Sequence, residues 1–66
     1  MSARAAAEEC LIEIIRIGTT LKVSAIDPES GLEVSVSGPA AAGVEALSRL
    51  AARKLAYRLA RAAAAG

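Results

Sequence analysis

The chain has 66 residues and a net charge of +1, with a single cysteine and no histidine. This length allows one small domain, whose folding buries only about 60% of the surface that the unfolded chain exposes. An intrachain disulfide is excluded because it needs two cysteines, and one thiol without imidazoles makes a metal site improbable. Association with another chain is therefore the leading source of additional stability.

Three strands are predicted in chain order. Residues 1–9 favour a helix but are too few for a stable one, so we predict a flexible arm or one short helical turn. Residues 10–17 (CLIEIIRI) are β-branched and apolar, which predicts a first strand. Residues 20–26 and 32–37 alternate apolar with polar side chains, which predicts two further strands.

Two turns predict how the strands pair. Gly18-Thr19 is typical of a two-residue type II′ hairpin. Residues 27–31 (DPESG) indicate a second turn, with the aspartate as its cap and the glycine in a left-handed conformation. Gly38-Pro39 is expected to end the third strand. Together the turns place one apolar set on one face of the sheet: Ile12, Ile14, Leu21, Val23, Ala25, Leu32, Val34 and Val36.

The periodicity becomes helical from about Gly43 to Ala64. One apolar stripe recurs at spacings of three or four residues: Val44, Leu47, Ala51, Leu55 and Leu59. We therefore predict an α+β fold, a three-stranded antiparallel β-meander packed against one C-terminal α-helix (βββα). The single domain spans residues 10–62, with residues 63–66 as a frayed tail.

The first strand is apolar on both sides, which is unusual for the edge of a meander. Leu11, Ile15 and Ile17 fall on the side that is otherwise polar. Such an edge promotes aggregation unless something covers it. Residues 1–9 or the chain end could cover it, or a second copy could pair along it or pack on it. We favour a second copy, because the arm offers only alanines, and predict Leu11, Ile15 and Ile17 as an oligomer interface.

Charge is divided unevenly along the chain. Residues 1–39 hold three basic and six acidic side chains, whereas residues 40–66 hold five basic and one acidic. The basic set on the helix is the candidate polyanion-binding surface: Arg49, Arg53, Lys54, Arg58 and Arg61. These side chains could bind phosphate or anionic lipid. We favour a solvated face that complements the helix dipole.

No pattern in the sequence indicates catalysis, a cofactor or a metal. A serine nucleophile needs a base, and no histidine is present. Cys10 has no basic neighbour in sequence that would lower the pKa of its thiol. The glycine spacing matches no phosphate-binding loop. We predict that the protein is not an enzyme. We expect a cytoplasmic location, because no signal peptide or membrane span is evident and the cysteine is single.

Two resemblances follow from particular residues. RIGTTLKVSAID (16–27), GLEVSVSGPA (31–40) and RLAARKLAY (49–57) resemble a family of short alphaproteobacterial proteins of unknown function. This resemblance implies a bacterial cytoplasmic protein and no particular activity. The element order also resembles the double-stranded-RNA-binding domain, which uses lysines at the start of its last helix. The corresponding residues here, 39–45 (PAAAGVE), contain no positive charge.

The combined prediction is a small non-catalytic interaction or accessory module that self-associates. Its expected partner is a second copy or another protein, with no small-molecule substrate. One alternative is a nucleic-acid-binding domain that uses the basic face of the helix. The other is a small subunit of a larger assembly.

Overall fold

A computed structural model describes residues 10–65 of the chain. It contains strands β1 (Leu11–Ile17), β2 (Thr20–Ile26) and β3 (Glu33–Pro39), a 3₁₀ turn (Ala40–Ala42) and one helix, α1 (Val44–Ala65). The strands form one antiparallel sheet in the order β1-β2-β3, which confirms the predicted βββα fold. The arm predicted for residues 1–9 lies outside the described residues.

The pairing register agrees with the prediction from the two turns. Gly18 has a φ of 60°, and Thr19 does not have a positive φ, as a type II′ turn requires. A glycine suits this first turn position because it adopts positive φ without steric cost. The resulting Cα partners are Ile12–Ala25, Ile14–Val23, Ala25–Val34 and Val23–Val36.

The second turn is organised by Asp27. Its backbone N–H donates to the Leu32 carbonyl at 2.8 Å, and its carbonyl accepts the Gly31 N–H at 2.8 Å. Its carboxylate accepts the Ser30 hydroxyl at 2.7 Å, the Ser30 N–H at 3.1 Å and the Glu29 N–H at 3.4 Å. These bonds, led by the one from the Ser30 hydroxyl, lower the pKa of Asp27, although desolvation opposes them. The turn therefore favours the ionised carboxylate.

Several element ends differ from the prediction, and β1 begins at Leu11 rather than at residue 10. β3 begins at Glu33 and runs through Pro39, rather than spanning residues 32–37. Thr20 makes its backbone hydrogen bonds with Ile17 of β1, so its backbone groups point away from β3. Pro39 lies opposite Thr20, and its backbone therefore points to the free edge of β3. The sheet tolerates the proline because no hydrogen bond between strands needs its missing N–H. The helix continues to Ala65, since its last residues are alanines with the highest helix propensity.

The core lies between α1 and the inner face of β2 and β3. Its buried members are Leu21, Val23, Ala25 and Val34 from the sheet and Leu47, Ala51 and Leu55 from the helix. Ile12 and Ile14 lie on the apolar face of the sheet, as predicted, but remain 40% and 44% exposed. Val44, predicted in the helix stripe, is also exposed. One helix about 10–12 Å wide covers only about two strands at a spacing of about 4.8 Å.

Two contacts fix α1 over β3 rather than over β1. Gly38 has no positive φ, but a Cβ atom added to it would lie 2.8 Å from Cδ2 of Leu47. The glycine is therefore required for close approach of the helix. Almost two turns further on, Lys54 Nζ donates to the Ser35 carbonyl of β3 at 3.0 Å. Among residues 10–65, no helix is both long and apolar enough to cross a bilayer.

Candidate functional site

The described residues include one thiol, that of Cys10. Cys10 is half-buried and packs against the core cluster. Burial raises the pKa of its thiol, which leaves less of the nucleophilic thiolate at neutral pH. Across residues 10–65, no three histidine, cysteine, aspartate or glutamate side chains come together as a metal site.

The most unusual surface of the molecule is β1, every residue of which is exposed. On its outer face, the predicted interface residues Leu11, Ile15 and Ile17 are 58%, 43% and 67% exposed. On its inner face, Ile12 and Ile14 extend the core surface beyond the helix. β1 therefore presents five large apolar side chains to solvent, on both faces of an edge strand.

The two edges of the sheet differ in how they treat their backbone groups. Across the two-residue hairpin, Ile17 and Thr20 form a hydrogen-bonded pair, and such pairs alternate along the ladder. It follows that Ile12, Ile14 and Arg16 direct their backbone N–H and C=O groups to the free edge of β1. No other strand in the described part of the chain pairs with that edge.

The free edge of β3 is protected in the way natural sheets protect their edges. The same alternation directs the Ser35 backbone outward, and its carbonyl accepts the Lys54 ammonium. Pro39 removes one donor from this edge, and a lysine and a proline are both known edge protectors. β1 contains neither residue type. Sequence alone does not reveal this asymmetry, because Lys54 and Ser35 are joined only by the tertiary fold.

On the flank that faces β1, the helix presents two small residues, Ser48 and Ala52, followed by the larger Leu59 toward its C-terminal end. Lys54 marks the flank toward β3, and the 100° rotation per residue places Ser48 and Ala52 on the opposite one. Leu47 lies over Gly38, which is level with residue 16 of β1 across the sheet. Lys54 lies at Ser35, which is level with residue 13. The helix therefore runs alongside β1 from residue 16 to residue 13. Ala52 is thus about level with Ile14. We call the surface formed by Ile12, Ile14, Ser48 and Ala52 the inner shelf.

The five basic residues of the candidate polyanion surface do not form a single row. At 100° per residue they cover about half of the helix circumference. Arg49 lies 3.7 Å from the Glu45 carboxylate, and Arg61 donates to the Tyr57 hydroxyl at 3.0 Å with its guanidinium over the ring. All five side chains, including those of Arg53, Lys54 and Arg58, are exposed.

Comparison with known proteins identifies one relationship. Residues 7–62 match the family model described as a domain of unknown function, DUF6898. No curated protein and no solved structure shows significant similarity to the chain.

Proposed function

The chain belongs to the DUF6898 family of domains of unknown function, and we propose that it is a non-catalytic interaction module that self-associates through β1. The observation that carries this proposal is the contrast between the two edges. β1 is apolar on both faces and has an open backbone edge, whereas Lys54 and Pro39 protect β3. A long apolar edge strand is a template for pairing with another strand.

A second copy fits this edge in an antiparallel arrangement about a twofold axis. With the axis at Ile14, residues 11–17 of both copies pair over their full length, and Ile14 lies opposite Ile14 of the second copy. An axis at Glu13 would place two like charges directly opposite each other, which is destabilising. An axis at Ile15 would shorten the ladder, since Leu11 would then lie opposite the hairpin turn. The centre at Ile14 is therefore favoured.

This arrangement uses the backbone and two of the three predicted interface side chains, those of Leu11 and Ile17. The outward-directed groups of Ile12, Ile14 and Arg16 would form on the order of six interchain hydrogen bonds. Each contributes a net of about 0.5–1.5 kcal/mol. Leu11 of one copy lies opposite Ile17 of the other, twice, and such apolar pairs add about 0.2–1 kcal/mol each. These contributions matter for a domain in which residues 10–65 bury seven apolar side chains in the core.

The polyanion alternative requires a coherent basic face. The five cations are spread around the helix, and Lys54 is engaged by β3. This placement favours the interaction module. Binding to duplex RNA or DNA that weakens with salt would instead support the alternative.

The first experiment is the solution mass of the full chain, measured by light scattering after size exclusion at several concentrations. A mass of two or four times 6.7 kDa supports self-association. A mass of one chain at every concentration up to the millimolar range would overturn it.

Cross-linking then tests the register. In a Cys10→Ala background, Ile14→Cys places two cysteines at a Cα separation of about 5.5 Å, within disulfide range. Mild oxidation should give a covalent dimer. The matched control Ile12→Cys should not cross-link, because the two copies of that position lie about 13 Å apart along the strands. A dimer by mass that cross-links at neither position would overturn the edge pairing.

A further inference from the structure

We propose that the self-associated protein binds one amphipathic α-helix of a partner protein, laid across its two central strands between the two copies of α1. This inference rests on the proposed pairing of β1 and names what the paired site binds. It follows from the width, the lining and the charge of the surface that the pairing creates.

The width suits one helix. A twofold axis perpendicular to the sheet keeps both copies of α1 on the same face. Each α1 lies over β2 and β3 of its own copy. With strands about 4.8 Å apart, the two helix axes would be about 19 Å apart across the six-stranded sheet. Since packed helices are about 8–10 Å apart, the gap accepts one helix in contact with both.

The twist of the sheet also suits one helix between the two copies of α1. Adjacent strands rotate by roughly −20° to −25°, so helices that follow strands two positions apart differ by about −40° to −50°. This is the commonest class of helix–helix crossing angle. A central helix would therefore pack against both neighbours without distortion.

The lining is apolar and shallow. Edge pairing adds bonds in the plane of the sheet and does not cover its inner face, so Ile12 and Ile14 of both copies stay open to solvent as the floor. The floor residues are already 40% and 44% exposed in one copy. Ser48 and Ala52 form each wall, and such small side chains allow close approach of another helix. The four residues of the inner shelf, duplicated by the axis, thus make one groove that is apolar at its centre.

The charge selects an acidic partner. Arg16 lies on the same face as Ile12 and Ile14, so each copy places one guanidinium toward one end of the groove. Its Nε donates to the Gly18 carbonyl at 3.0 Å, a neutral acceptor that leaves the positive charge uncompensated by this bond. The paired strands are about 23 Å long. The fitting partner is a helix of about 15 residues with an apolar stripe and acidic residues toward both ends.

A synthetic probe tests this proposal. The probe is a fluorescein-labelled 16-residue peptide with leucine and alanine on one face and glutamates at both ends, titrated with the full chain and followed by anisotropy. We expect saturation at one peptide per two chains. A matched peptide with lysines in place of the glutamates should bind at least tenfold more weakly.

Paired variants of the chain locate the site. Ala52→Leu fills the wall beside Ile14 and should weaken peptide binding at least tenfold. Ala60→Leu introduces the same side chain on an exposed part of α1 and should leave binding unchanged. No binding, one peptide per chain, or equal binding by the two variants would overturn the groove. Light scattering on the same samples separates the proposals, because a dimer that fails to bind refutes only the groove, whereas a monomer refutes the pairing itself.

Discussion

Replacement of Gly38 by alanine is the sharpest test of how the helix is placed. The added Cβ would lie 2.8 Å from Leu47 Cδ2, and Leu47 is only 4% exposed, so its side chain has little room to move. Overpacking of this kind costs about 1–3 kcal/mol. Because Gly38 lacks a positive φ, the alanine also gains about 0.4–1 kcal/mol from the less flexible unfolded chain. The net loss should be roughly 1–2 kcal/mol.

A double-mutant cycle isolates the contact from other effects. Leu47→Val should cost about 1 kcal/mol alone, but it shortens the side chain that meets the new Cβ. Gly38→Ala should then be nearly neutral in the Leu47→Val background, which gives a coupling of about 1–2 kcal/mol. Urea unfolding followed by circular dichroism measures all four proteins. Ser37→Ala, at the exposed neighbouring position, should stay within about 0.5 kcal/mol of the parent. Unchanged stability of Gly38→Ala, or strictly additive losses, would refute the close-packing explanation.

Three other substitutions test separate parts of the molecule. Leu55→Ala removes a fully buried side chain and should cost about 2–5 kcal/mol of stability, which a thermal melt would show as a much lower melting temperature. A loss below about 1 kcal/mol would contradict the assigned core. Asp27→Asn should be less stable than the parent at neutral pH. Because the pKa of Asp27 is lowered in the folded state, its contribution to stability is present above the unfolded pKa and is lost as pH falls through the folded pKa. The denaturation curves of the variant and the parent should therefore converge in acid. A difference in stability that does not change with pH would contradict this. Ile14→Lys should weaken self-association at least tenfold, because it sets two ammonium groups opposite each other. Ile15→Lys should keep the dimer, because the new lysine lies opposite Glu13 of the second copy. Loss of the dimer in Ile15→Lys alone would indicate packing through the outer face instead.

Much of the sheet could be predicted from local chemistry. Gly18 and the turn at residues 27–31 each fix a register, and agreement between them determined which residues oppose each other. The position of the helix across the sheet was not accessible in this way. The apolar stripe shows which side of α1 is buried but not which strands it covers. For this reason the sequence predicts the face on which Ile12 and Ile14 lie, but not that they remain exposed.

Part of the candidate site could also be predicted from the alternation of side chains along the first strand. Leu11, Ile15 and Ile17 interrupt a polar face, and alternation alone identifies them. The protection of β3 by Lys54 is invisible in sequence, since a helix lysine with exposed surroundings is usually solvated. The structure places the ammonium group of Lys54, one of the five candidate phosphate ligands, on a backbone carbonyl of β3.

The exposure of β1 can be traced to Gly38. Its missing side chain lets Leu47 settle over β3, and Lys54 bonds to the same strand seven residues later, so α1 is drawn toward one edge of the sheet. A helix of this width cannot then reach β1. A side chain at Gly38 would push the helix toward Ile14 and narrow the inner shelf. Gly38→Ala should therefore reduce peptide binding more than its loss of stability explains, which links the packing of a single glycine to the surface that we propose for recognition.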